Sequence, residues 1–162
     1  VQTSSGKDEI LISTRMAQAV RFNEEKVRSV GRNSMGVKGI TLKPKDSVVS
    51  SEVIKNDNVK ILTVTENGFG KRTDISKYRL TSRGGKGVTT LKVTEKTGEI
   101  VNAFQTENED QIILLSSAGK ATRLKASDIS LIGRATQGVK LMKVDDETKV
   151  VAVAKIAEKE NE

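Results

Sequence analysis

The sequence contains no cysteine, no histidine and no tryptophan, and only one proline. Without cysteine there is neither a disulfide framework nor thiolate chemistry. Without histidine the chain lacks the usual zinc ligand and the usual general base at neutral pH, so no metal site is expected. Aromatic side chains are confined to Phe22, Phe69, Tyr78 and Phe104. Single-stranded nucleic acid needs stacking platforms, so that partner class is disfavoured and the four rings are expected to pack inside. No apolar run approaches the roughly 18 residues of a membrane span, and no signal-peptide pattern opens the chain. A paired-carboxylate pattern is also missing, and no active site is expected. The chain starts Val-Gln-Thr, which reads as a piece of something longer.

What the sequence does contain is a period. Gly31-Arg32-Asn33-Ser34-Met35-Gly36-Val37-Lys38 returns as Ser82-Arg83-Gly84-Gly85-Lys86-Gly87-Val88 and as Gly133-Arg134-Ala135-Thr136-Gln137-Gly138-Val139-Lys140. The second glycine falls at 36, 87 and 138, a spacing of 51 residues. Arg32, Arg83 and Arg134 precede it by four positions, and Arg21, Arg72 and Arg123 keep the same register. Ile10-Leu11-Ile12, Ile61-Leu62-Thr63 and Ile112-Ile113-Leu114 align without a gap. Self-similarity at this period marks a repeat architecture.

Each unit reads as strands. The apolar runs near 10–14, 61–65 and 112–114 are followed at hairpin distance by 20–22, 71–73 and 121–124. Asn67-Gly68 between two β-prone runs predicts a two-residue hairpin turn with positive φ at both positions. The apolar runs are continuous, which predicts strands covered on both faces. Further β-prone segments follow each glycine: Val37 to Leu42 with Val48-Val49, Val88 to Val93 with Ile100-Val101, and Val139 to Val144 with Val150 to Val153. Helix is confined to one turn at Glu24 to Val27 and another from Ala157 onward. The expected fold is all-β: three four-stranded propeller-type blades, about 8–58, 59–109 and 110–160, in one repeat domain. Closed propellers have about four to eight blades, so three read as part of a ring.

The formal charge is +7 with a pI near 9.6. Lys26 to Lys45 holds six basic residues and no acid, Ile75 to Thr94 five and none, and Lys120 to Lys143 six against Asp128 alone. Repeated in each blade, such a segment should form a strip, and a strip suits a polyanion that runs past several blades. Random surface decoration would not recur in register. Gly84-Gly85-Lys86-Gly87 could bring backbone N–H groups to a phosphate between Arg83 and Lys86, or could simply turn a tight corner. Gly68-Phe69-Gly70-Lys71 is no nucleotide P-loop, because Arg72 stands where the hydroxyl is needed.

With Gly-Arg-x-x-x-Gly-Val-Lys after a short hairpin, and with Gly68-Phe69-Gly70-Lys71-Arg72-Thr73, the chain resembles the C-terminal domain of the DNA gyrase A subunit over nearly its whole length. The resemblance implies the last three blades of a six-bladed β-pinwheel, a propeller whose hairpins exchange between blades. It also implies binding, bending and wrapping of double-stranded DNA within an ATP-hydrolysing type II topoisomerase that introduces negative supercoils. Partners in the parent would be the N-terminal region of the A subunit, together with the B subunit, with ATP and Mg used elsewhere in it. A cytoplasmic, nucleoid-associated place follows, with no membrane partner. Arg83-Gly84-Gly85-Lys86-Gly87 reproduces only the end of the family's first-blade box, whose Gln and first Arg are absent. The C-terminal domain of the topoisomerase IV A subunit is the nearest alternative, and a propeller serving as a protein-interaction platform is the alternative of another class. The expected DNA-binding residues are Arg21, Arg32, Lys38, Lys71, Arg72, Arg83, Lys86, Lys120, Arg123, Arg134 and Lys140. No cofactor is expected in this stretch, and the open sides of half a ring predict either self-association or a neighbour that covers them.

Overall fold

The computed structural model describes residues 2–156. The helical turn expected from Ala157 onward lies outside the described residues. Eleven strands carry the fold: β1 (Glu9–Thr14), β2 (Gln18–Asn23), β3 (Val48–Ile54), β4 (Lys60–Thr65), β5 (Phe69–Asp74), β6 (Val88–Thr89), β7 (Ile100–Thr106), β8 (Gln111–Ser116), β9 (Ala121–Lys125), β10 (Val139–Lys140) and β11 (Val150–Ile156). The only helical segments among the described residues are 3-10 turns at Glu24–Lys26, Ile75–Lys77 and Ala126–Asp128. They follow β2, β5 and β9 at the repeat spacing.

The sheets do not coincide with the sequence repeats. The first runs β3-β1-β2-β6, the second β10-β5-β4-β7 and the third β11-β8-β9. All pairings within them are antiparallel. The outermost strand of each four-stranded sheet therefore comes from the following repeat. Ala19 pairs with Val88, and Gly70 pairs with Val139, one period later. Four strands per repeat were expected and are found in the second and third. In the first, Val37–Leu42 forms no strand, because a strand needs a neighbouring hairpin to complete its ladder and none lies beside it among the described residues. The outer edge of β9 is open for the complementary reason among the described residues.

All three hairpin turns have one geometry, which differs from the expected two-residue form. Ala17, Gly68 and Gly119 sit at φ +60°, +78° and +77°, and their N–H groups bond Thr14, Thr65 and Ser116 carbonyls at 3.1, 3.0 and 3.0 Å. Only the last turn residue is left-handed. This is a three-residue loop ending in a left-handed bulge position, and it demands less of Asn67 than the form expected from Asn-Gly.

The core lies between sheets. Leu11, Ile54, Ile61, Ile75 and Tyr78 join the first to the second, and Leu62, Leu114, Ala126, Ile129 and Met142 join the second to the third. The strand β4 is buried on both faces, which matches its unbroken apolar run. The inner strand β7 packs against both β3 and β11, so β6, β10 and the glycine-bearing loops lie along the outer rim. All four aromatic residues are buried.

The repeated glycines share one conformation: φ is +75° at Gly36, +78° at Gly87 and +77° at Gly138. Their surroundings differ. A Cβ at Gly87 would lie 2.3 Å from the Ala19 carbonyl oxygen, and one at Gly138 would lie 2.6 Å from that of Gly70, whereas nothing lies within 4 Å at Gly36. Gly36→Ala should therefore cost only left-handed strain, about 1–2 kcal/mol. Gly87→Ala and Gly138→Ala must in addition push two backbones apart and should cost clearly more. Urea denaturation of the three variants checks this, and equal losses would refute close approach as the reason for the glycine.

Candidate nucleic-acid interface

Each rim loop is bonded to the rim segment of the repeat before it. Arg83 donates from Nε to the Lys26 carbonyl at 3.3 Å and from Nη1 to the Lys38 carbonyl. One period on, Arg134 Nη1 donates to the Thr89 carbonyl at 2.9 Å. Thr41 N–H meets the Gly85 carbonyl at 2.9 Å, as Lys92 N–H meets that of Thr136 at 3.0 Å. The Lys38 stem runs beside Gly84, with Cγ and Cδ at 3.9 Å from where a Cβ would be. Successive loops thus form one edge. Arg83 and Arg134 are half-buried, and each uses only part of its five-donor fork. Arg32, Lys38, Lys86 and Lys140 are exposed along the same edge.

Three residues expected on that strip are not on it. Arg21 is only 8% exposed. Its guanidinium pairs with Glu9 and with Asp57 at 2.8 Å, and donates to the Ile75 and Tyr78 carbonyls at 3.0 and 3.2 Å. Arg72 is 5% exposed and repeats the arrangement. It donates to the Ile129 and Ser127 carbonyls at 3.0 and 3.4 Å and to Asn108 Oδ1 at 2.8 Å. Both arginines therefore cap the carbonyls of the next repeat's 3-10 turn and tie neighbouring blades together. Burial pushes the Arg72 guanidinium below its ordinary value, with Asp128 and Asp74 opposing that shift. Lys71 is fully buried, its ammonium turned into the loop 133–136. A period of charge cannot separate a clamp from a ligand contact, because both must recur wherever blades recur.

Arg123 holds the register of those clamps but is exposed, and it donates only to Gln111 Oε1 at 3.2 Å among the described residues. Lys120 is exposed at the β8–β9 turn. Lys140 donates to the Asn67 carbonyl at 3.1 Å, with its ammonium 4.2 Å above the Phe69 ring. Two further in-register pairs, Lys26/Lys77 and Arg28/Arg79, are exposed between the 3-10 turn and the rim loop. Their 51-residue spacing was the signal that could have added them. Among the described residues no cluster of three His, Cys, Asp or Glu could hold a metal, and no helix is long and apolar enough to cross a membrane. A groove of about 750 Å³ lies against the inner strands by Glu52, Asn102 and Val153, away from the rim.

The architecture defines a class: β-blade repeats that lend their outer strand backwards, stapled by arginines, with a basic outer edge. A family model described as DNA gyrase C-terminal domain, beta-propeller, matches residues 8–55, 60–107 and 110–157. The chain belongs to that family. It is 44% identical to the DNA gyrase A subunit of Staphylococcus aureus strain MRSA252 over its whole length, covering 19% of that protein. Identity to the Staphylococcus epidermidis protein of the same name is also 44%, covering 18% of it. The chain thus spans about a fifth of these curated relatives. A gyrase A C-terminal domain structure superposes with TM-score 0.86 at 32% identity, over 95% of this chain and 52% of that one. A topoisomerase IV C-terminal domain superposes with TM-score 0.90 at 25% identity, over 96% and 48%. The fold fits both, and the higher identity favours gyrase.

The clamp assignment has a direct check. Arg21→Ala removes the donor to the Tyr78 carbonyl and strands the Glu9 carboxylate, while the Ile75 carbonyl keeps the Tyr78 N–H at 2.9 Å. Arg72→Ala removes the donors to the Ile129 and Ser127 carbonyls. Each group left unpaired costs roughly 1–3 kcal/mol. Either should lower stability by ~3 kcal/mol, whereas Arg123→Ala should change it by under about 0.5 kcal/mol. Urea midpoints decide; equal small losses would put Arg21 and Arg72 back among solvated surface charges.

Proposed function

We propose that this chain binds duplex DNA along its outer rim and bends it, as the wrapping part of a type IIA topoisomerase of the gyrase kind. One observation carries this reading: the rim loops bond to one another from repeat to repeat, and exposed cations recur along the edge they build. Arg32, Lys38, Lys86 and Lys140, with the free N–H groups of Arg83 and Arg134, make a strip suited to a phosphate backbone. Lys120 and Arg123 extend it at the last blade. In the whole protein the strip would wrap DNA for ATP-dependent negative supercoiling, beside the B subunit with the rest of the A subunit, in the bacterial cytoplasm at the nucleoid. ATP and Mg would act there, outside this stretch. A protein-interaction platform would need exposed apolar or aromatic anchors on one face. Here the aromatics are buried, and exposed apolar side chains such as Met35, Leu80 and Leu131 sit in the same rim segments as Arg32, Arg83 and Arg134.

Binding should be duplex-preferring, nearly sequence-independent and steeply salt-sensitive. If roughly four to six phosphates are neutralised, log affinity falls against log salt with a slope of about −4 to −5. Lys38→Ala with Lys86→Ala should flatten the slope by about two for every sequence alike, since phosphate contacts carry no base information. Fluorescence anisotropy at several salt concentrations measures this. Loss confined to particular sequences would mean groove readout, contrary to this reading.

Self-association follows from the open edge. Leu115 on β8 is 40% exposed, whereas Val64, one period earlier, is fully covered. The rim segment 36–38 of a second copy would fill the slot on β9. By the register of Gln18 with Thr89 and Phe69 with Lys140, Lys38 would then face Lys120. Like charges opposed across a ladder repel, so association should strengthen with salt while DNA binding weakens. Sedimentation velocity across salt tests it; a monomer at every concentration and salt would refute it.

A further inference from the structure

Of the three expected phosphate ligands that turn inward, Lys71 alone directs its charge into a rim loop. Its side chain is 0% exposed. Its ammonium donates to the Gly133 carbonyl at 2.5 Å, to Thr136 Oγ1 at 3.0 Å and to the Arg134 carbonyl. An ammonium has three N–H donors, and here all three end on one loop. The corresponding positions are Val20 and Thr122, so only the middle blade has this contact. No carboxylate lies within ion-pairing distance of Lys71 among the described residues.

We propose that Lys71 is a positioning residue for the DNA-facing rim: its buried ammonium fixes the loop 133–136 from behind and so sets where Arg134 and Lys140 meet phosphate. This rests on the duplex-DNA reading above. The loop does not need Lys71 merely to satisfy its carbonyls. Thr136 Oγ1 also donates to the Gly133 carbonyl at 2.9 Å, and Thr136 N–H to that of Arg134 at 2.8 Å. What Lys71 adds is a charge behind the loop and a fixed seat.

The charged surroundings of that seat are few. From the loop, Arg134 faces it and disfavours its protonation. From β10, Lys140 turns to the Phe69 ring and the Asn67 carbonyl. Across β4, its ladder partner is uncharged Thr63. Next along β5, Arg72 goes to the Ile129 and Ser127 carbonyls. The buried Tyr78 hydroxyl, pushed up to about 12 by burial, stays neutral throughout. Burial, then Arg134, brings Lys71 down to about 8. A phosphate on the outer side of the loop favours the protonated form, so DNA and proton binding must reinforce each other equally.

The test is a carbon-13 NMR titration of Lys71 in the 162-residue chain, free and with a short duplex, beside duplex affinity from pH 7 to 9.5. The expected midpoint is near 8 without DNA. It should rise by about one unit with DNA, matched by a roughly tenfold affinity loss as pH climbs. Lys71→Met should keep its melting temperature, bind less tightly at pH 7 and show no step near pH 8. An unchanged Lys71 midpoint in a chain that binds duplex normally would overturn the proposal, as would wild-type affinity in Lys71→Met. Should that variant not fold, the wild-type titration alone decides. No duplex binding at all would remove the underlying reading and this inference with it.

Discussion

A strand passes from each repeat to the sheet of the repeat before it, and the passage depends on two backbones meeting where a side chain cannot stand. The hairpin carbonyl of Ala19 or Gly70 sits where the Cβ of Gly87 or Gly138 would be. A β-ladder sets neighbouring strands about 4.8 Å apart, and a carbonyl this close to the next chain leaves room for hydrogen alone. Left-handed φ at the same residues then turns the chain away into its own blade. From this one contact follow the spacing of the repeats, the outward position of the loops and the alignment of one loop with the next. Without it the blades would be separate three-stranded sheets, each with an open edge.

Cations perform two kinds of work in this framework, and burial divides them. Arg21 and Arg72 spread a planar fork over carbonyls at the end of a 3-10 turn, which an ammonium could not match in geometry. Those carbonyls belong to the next blade, so the arginines hold repeats together where exchanged strands are only two residues long. Arg32, Lys38 and Lys86 make no such contact through their charged heads among the described residues and remain in water, where they are free to exchange counterions for phosphates. Arg83 and Arg134 stand between the two groups. Each gives part of its fork to a neighbouring repeat and keeps the rest outward.

Much of this is legible in the chain of residues alone. The period marks three units, the β4 run marks a strand covered on both faces, and the scarcity of aromatics places all four inside. Three things are not legible. The sheet membership of Val88–Thr89 cannot be read, because a two-residue strand leaves almost no pattern and its partner lies a repeat away. Asn67-Gly68 suggests a two-residue turn, while the equivalent Ala118-Gly119, and above all Met16-Ala17, show that a single left-handed residue suffices. The in-register arginines are the largest divergence between pattern and structure. Periodicity reports that a position matters to every blade, and a clamp between blades satisfies that condition as well as a ligand contact does. What separates them is the direction of the side chain on the strand: Arg21 and Arg72 lie on strands paired on both sides, whereas Lys38 and Lys86 lie in loops.

The seam between repeats is thus the joint of the fold and, on the proposed function, also the surface offered to DNA, and this has a mechanical consequence. A groove on a separate loop can adapt to DNA without disturbing the core. Here the rim loops are hydrogen-bonded to one another and pinned at glycines packed on hairpin backbone, so moving one shifts the next. A stiff edge of this kind imposes its own curvature on a bound duplex. Bending a site of 20–30 base pairs costs of order 1–6 kcal/mol, and the contacts that offset it must be held in place while the duplex deforms. Flexible lysines on a soft surface would follow the straight duplex instead. On the proposed function, the buried arginines hold the edge from which the exposed lysines would bend the duplex.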